Sequence, residues 1–355
     1  PKLRWFAEEL PALPVVAAGS LLEFTLADHA FSMPVGRAAY LHLHPLSFAE
    51  FLLANGQGPL RDALVAWQWG QEPTELEHRT AQTWYARYLM VGGMPAAVLA
   101  DLELGDGVAV RRVQHDLLAT FRDDFRRYAA RVDPSLLDRC LASVAVQLGG
   151  KFVYARVLDG VRHRAARKGL ELLARARLCH LVEQTAANGL PLGGEVNPRN
   201  RKVILLDVGL LHALLGTPAT QVFPEWSDLA PRTRGALTEQ AVGQQLLAAA
   251  PYWEEPRLYY WQRGGGRSGE IDYVVQVDDR IVPVEAKSGS SGGMKALHQF
   301  MFDKRLSLAV RIDANPPSVQ DVACSTTQGD PVAYRLLSVP QHMAWNLADA
   351  VRTGG

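Results

Sequence analysis

The chain has 355 residues, of which 48% are apolar and three are cysteines, enough for two to four compact units and too little cysteine for a disulfide framework. Its formal charge is zero, yet basic against acidic residues number 6 against 12 in 1–108, 18 against 12 in 109–230 and 13 against 13 in 231–355, so a polyanion partner is expected for the middle segment alone. No run is apolar enough to span a bilayer, and Cys140, Cys179 and Cys324 lie far apart; we therefore expect no membrane contact and a reducing, cytoplasmic location.

In chain order, Pro14-Val15-Val16-Ala17-Ala18-Gly19-Ser20 reads as a buried parallel strand whose end faces a ligand crevice. Gly36-Arg37 follows, and then Pro45-Leu46-Ser47-Phe48-Ala49-Glu50-Phe51-Leu52, where Ser47 and Glu50 stand at the spacing of a helix cap. Gly92-Gly93-Met94-Pro95 closes this helical region. His42 and His44 alternate on a strand-like run, but no third ligand lies at metal spacing, so a histidine pair outweighs a zinc site.

The middle segment predicts amphipathic helices over 110–128 and 134–148, a break at Gly149-Gly150, a short helical run over 153–158 and a longer helix over 162–177. On the longer helix Arg164, Arg167, Lys168, Glu171 and Arg175 share one stripe, and Ala166, Leu170 and Leu173 another. Strand-like runs over 178–182 and 202–206 complete a succession of helix, turn, basic helix and β-wing that looks like a winged helix. The basic stripe either faces nucleic-acid phosphates, with DNA the favoured partner, or is a solvated face on a structural spacer.

A helix over 235–247 carries Glu239 and leads into a strand over 258–262. Trp253 and Trp261 flank that strand and are expected in the core. Arg263 and Arg267 border Gly264-Gly265-Gly266, a hairpin tip that could reach a phosphate backbone. Next, Gly269-Glu270-Ile271-Asp272-Tyr273-Val274-Val275 and Ile281-Val282-Pro283-Val284-Glu285-Ala286-Lys287-Ser288 read as hairpin strands. Alternation puts Glu285 and Lys287 on one face. With Asp272 on that side, two carboxylates and an ammonium meet, a set able to hold a divalent cation and to place positive charge beside an attacking water. The alternative is a solvated hairpin with chance charges.

The order of a helix with Glu239, a strand, a strand with Asp272, a strand with Glu285 and Lys287, and a helix over 293–305 resembles the PD-(D/E)XK nuclease superfamily across roughly the last third of the chain. Together with Ala18-Gly19-Ser20, Gly36-Arg37, the Pro45 to Leu52 run, Gly92-Gly93-Met94-Pro95 and Asp207-Val208-Gly209-Leu210, it is similar to a bacterial and archaeal group of AAA+-like ATPases. The resemblance implies a multidomain α/β fold: the remnant of a partial AAA+-like ATPase module over 1–45, a helical lid over 46–108, a winged helix over 109–230 and a PD-(D/E)XK restriction-endonuclease-like α/β domain over 231–355. It implies that Asp272 and Glu285 bind Mg²⁺ or Mn²⁺, that Glu239 completes the shell and that Lys287 positions the water.

Ser20 and Arg37 would be remnants of γ-phosphate sensing, or else a strand-end turn and a surface ion pair. No Gly-x-x-x-x-Gly-Lys-Ser/Thr loop occurs, so ATP is expected only in an intact parent, where the ATPase module could form a homo-oligomer. The expected function is nucleic-acid binding joined to a metal-dependent nuclease-like site. The competing expectation is a non-catalytic, ATP-switched protein that uses the nuclease-like fold for docking.

Overall fold

The computed structural model describes residues 2–18, 39–71, 73–126, 132–157, 163–217, 231–264 and 269–355. Ser20, Arg37 and Arg267, expected to touch nucleotide or nucleic acid, lie outside them. No helix among the described residues is long and apolar enough to cross a membrane.

Helices dominate the first half: α1 (Lys2–Glu9), α2 (Phe48–Ala54), α3 (Gly58–Ala66), α4 (Glu75–Val91), α5 (Pro95–Leu104), α6 (Gly107–Phe125), α7 (Pro134–Val146) and α8 (His163–Arg175). Their starts follow from local chemistry. Ser47 and Glu50 form the expected capping box, and Thr74 with Glu77 forms another, each satisfying backbone N–H groups that a first helical turn leaves unpaired. The strand expected over 14–20 does not form in its described part, 14–18, and Val16 is 85% exposed. A buried parallel strand needs paired neighbours, and no described segment supplies one there.

The remaining elements are β1 (Cys179–Thr185), β2 (Val196–Leu205), α9 (Val208–Leu214), α10 (Pro231–Ala248), β3 (Leu258–Gln262), β4 (Glu270–Val277), β5 (Arg280–Ala286), α11 (Lys295–Lys304), β6 (Leu308–Asp313), β7 (Ser318–Ser325), β8 (Pro331–Pro340) and α12 (Leu347–Gly354). The eight strands among the described residues join one mixed sheet in the order β2-β1-β3-β4-β5-β6-β8-β7. The β1–β2 hairpin is therefore not a detached wing: Val182, Glu183 and Gln184 pair in parallel with Leu258, Tyr259 and Tyr260, so the expected boundary at 230/231 falls between segments that share a sheet. A core with Leu297, Phe300 and Met301 of α11 packs one face, and the larger core containing Leu237, Ala241 and Val242 of α10 packs the other.

Three of the motifs that carried the family resemblance, the Pro45 to Leu52 run, Gly92-Gly93-Met94-Pro95 and Asp207-Val208-Gly209-Leu210, meet at one buried junction. Asp207 caps α9 through Gly209 N–H and accepts Gly93 N–H at 2.7 Å and Gln244 Nε2 at 3.0 Å. Gly92, with φ +78°, has no room for a Cβ because Asp207 Oδ1 already stands there. Tyr88 donates its hydroxyl to Leu46 O, and Phe48 N–H donates to Gln245. These signatures join the helical half, the hairpin and α10; they are architecture. Burial raises the Asp207 carboxyl pKa, and the N–H donors around it pull it back only in part.

Candidate functional site

Glu239 faces the sheet from α10 at a point where helix and strand approach closely. Gly243 permits the approach, since a Cβ there would collide with the Tyr273 hydroxyl, and Tyr273 in turn donates to the Glu239 backbone carbonyl at 2.8 Å. Asp272 is aimed by a β-bulge. Tyr259 pairs with Val274 and Trp261 with Ile271, so Asp272 and Tyr273 together oppose the single residue Tyr260. Ile271 and Val274 pack on the α11 side while Tyr273 packs with α10. Simple alternation cannot give this pattern, and an extra residue in one strand can.

Two lysine–carboxylate groupings result. Lys287 Nζ contacts Glu285 Oε1 at 2.6 Å, as their shared face predicts, and the Asp272 carboxylate accepts Ala286 N–H at 2.9 Å. The second grouping is centred on Lys202 of β2, which the sequence did not mark. Its ammonium lies 2.7 Å from Glu239 Oε1, 2.5 Å from Glu270 Oε1 and 3.6 Å from Asp272 Oδ1, over the Tyr260 ring at 5.4 Å, and the residue is 1% exposed. Lys202 and Glu270 are thus the residues that sequence reasoning missed. Lys202 sits 37 positions from Glu239, and no local spacing links them.

The charges explain the titration. Burial disfavours the Lys202 ammonium, but Glu239, Asp272 and Glu270 outweigh it and hold its pKa well above the usual lysine value. One ammonium cannot offset three carboxylates. Burial lifts Glu239 to about 7, with Lys202 pulling it down and Asp272 pushing it up. Glu285 is likewise raised to about 7 by burial and by Asp272, against the pull of Lys287.

As arranged, these side chains do not fit a divalent metal. Glu239 and Asp272 turn oxygens toward Lys202, Glu285 turns one toward Lys287, and Asp272 also accepts a backbone N–H. Among the described residues no group of three or more His, Cys, Asp or Glu is placed to hold a metal ion.

Elsewhere, Arg164, Arg167, Lys168 and Arg175 are all exposed on α8, whose opposite face buries Ala166, Leu170, Leu172 and Leu173. Arg167 is tied to Glu171 at 2.9 Å. Arg263 stands at the end of β3, its N–H donating to Gly269 O. His44 lies beside His180, with ring centroids 5.8 Å apart. Trp261 is buried as expected, but Trp253 is 61% exposed, because it lies in the turn before β3 and packs edge-on against the exposed Tyr252.

Two family models match the chain: Domain of unknown function (DUF8612) over residues 82–221 and Domain of unknown function (DUF4143), often found in AAA-like ATPase proteins, over residues 234–321. No curated protein and no solved structure matches. The buried charge centre takes Lys202 from the first matched region and Glu239, Glu270 and Asp272 from the second, so it joins the two regions that the chain shares with known families.

Proposed function

We propose that this chain is the nucleic-acid-binding part of an AAA+-like ATPase protein of the cytoplasm, with ATP bound, and a homo-oligomer formed, through the ATPase module of the intact parent. In this reading α7, the 3₁₀ turn at Tyr154–Arg156, α8 and the β1–β2 hairpin act as a winged helix, and the restriction-endonuclease-like sheet acts as a docking module. The observation that carries it is the exposed basic face of α8 opposite a fully apolar buried face, directly ahead of the hairpin. An isolated antiparallel bridge also ties Lys151, ahead of α8, to Lys202 of the hairpin. Fluorescence anisotropy with a labelled DNA duplex over a salt series tests the reading. Replacing Arg164, Lys168 and Arg175 by Ala should weaken binding to every sequence and flatten the log–log salt dependence by up to about 0.9 per lost phosphate contact. An unchanged slope would reduce the winged helix to a spacer.

A second reading is favoured by Glu285 Oε2, which is buried without a hydrogen-bond partner beside Asp272. It is a Mg²⁺- or Mn²⁺-dependent phosphodiesterase in which Asp272 and Glu285 would hold the ion, Glu239 would support its shell and Lys287 would orient water. Metal-dependent cleavage that Lys287→Ala abolishes would establish it over the docking reading.

A further inference from the structure

Three carboxylates from two elements converge on one point in this fold, and an ammonium stands at that point. Glu239 comes from α10 and Glu270 and Asp272 from β4; each turns one oxygen toward Lys202 Nζ, at 2.7, 2.5 and 3.6 Å. Oxygen ligands bind a divalent cation at about 2.0–2.6 Å, so the Glu270 contact falls within that range, the Glu239 contact about 0.1 Å beyond it and the Asp272 contact about 1 Å beyond it. The lysine is also poorly placed to withdraw. Its backbone is held in β2 by pairing with Val182 and by the Lys151 bridge, its ammonium lies over the Tyr260 ring, and it is 1% exposed.

We propose that Lys202 is the resident cation of this centre, excluding divalent metal as the chain folds, and that removing its ammonium opens a latent Mg²⁺ or Mn²⁺ site built from Glu239, Glu270 and Asp272. Three carboxylates against one ammonium leave excess negative charge, which a doubly charged ion offsets better than a single positive charge. A second observation points the same way. Glu285 Oε2 is buried without a hydrogen-bond partner, and its carboxylate interacts electrostatically with Asp272 and Lys202, so an acceptor already stands unused beside the cluster. The lysine also belongs to the hairpin that follows α8, whereas the acids belong to the C-terminal elements. Closure of the centre therefore depends on the hairpin staying in the sheet. This inference rests on the docking reading for the C-terminal sheet.

The test is Mn²⁺ titration calorimetry, without nucleic acid, on the full chain as wild type, Lys202→Met, Lys202→Gln and Lys202→Met with Asp272→Asn, beside thermal melts with and without Mn²⁺. Wild type should bind Mn²⁺ no tighter than about 1 mM, the two single variants at least about tenfold tighter, and the double variant should lose that gain. A single variant that folds only when Mn²⁺ is added gives the same answer through its melting temperature. The proposal is overturned if wild type binds Mn²⁺ tighter than about 1 mM, or if neither single variant gains affinity. Failure of both single variants to fold with or without Mn²⁺ overturns it too, since a latent site should be restored by its ion. Wild-type metal binding would also sink the docking reading, whereas single variants that fail to gain metal leave it standing.

Discussion

Replacing Lys202 by Met should produce a stability loss that depends strongly on pH. At pH 8 the variant keeps Glu239, Glu270 and Asp272 together with their common counter-charge gone, and breaking a buried ion pair from one side costs about 3–5 kcal/mol. The relief at lower pH can be worked from Glu239. Its carboxyl is raised from 4.5 to about 7 even with Lys202 present, so the folded chain binds a proton there more readily than the unfolded chain. For a carboxyl shifted upward, the stabilising contribution is full below about pH 4.5 and is lost as pH rises through about 7, amounting to about 3 kcal/mol at 1.36 kcal/mol per unit. Lys202 is a group that lowers the Glu239 value, so its removal extends this window upward. The difference between variant and wild type should therefore shrink from about 3–5 kcal/mol at pH 8 to about 1–2 kcal/mol at pH 5. Urea unfolding of both proteins, followed by tryptophan fluorescence and far-UV circular dichroism at pH 5, 6.5 and 8, measures this difference directly. A cost that is constant with pH, or below about 1 kcal/mol at pH 8, would refute the view that Lys202 neutralises a buried acid cluster.

Gly243→Ala should destabilise by about 1–3 kcal/mol in the same urea assay, because the new Cβ collides with the Tyr273 hydroxyl and crowds Ile204 Cδ1 at 2.9 Å; a neutral result would mean that α10 shifts freely against β4. Asp207→Ala should cost about 3 kcal/mol or more, since it strips an acceptor from Gly93 N–H, Gln244 and the α9 cap at once, and Asp207→Asn should recover part of that loss. Equal stability of the two Asp207 variants would argue against the hydrogen-bonded junction.

Sequence reasoning placed those segments whose signals are local. Helices α7 and α8 start and stop within a few residues of the expected bounds, because their apolar stripes repeat every three to four residues and show within a single turn or two. The β4–β5 hairpin was legible because two β-rich runs around a polar turn specify two strands, and two-residue spacing alone brings Glu285 to Lys287. The Ser47–Glu50 cap follows from a three-residue spacing. At 14–18 the apolar run was equally clear, but a strand exists only where another strand pairs with it.

What the tertiary structure decided lies in contacts between residues far apart in the chain. The single sheet that takes in β1 and β2, the bulge that turns Asp272 and Tyr273 toward α10, and the arrival of Lys202 at three carboxylates have no periodic signature. The sequence determined that acids and lysines of a nuclease-like pattern are present, and the amphipathic elements that carry them. Only packing determined which cation the acids face, because a lysine that reads as one more basic residue on a hairpin becomes a buried counter-ion once β1 pairs with β3. In a desolvated centre an ammonium held at 2.7 Å outweighs any inference from residue type, since charges in a low-dielectric interior respond first to their nearest partner.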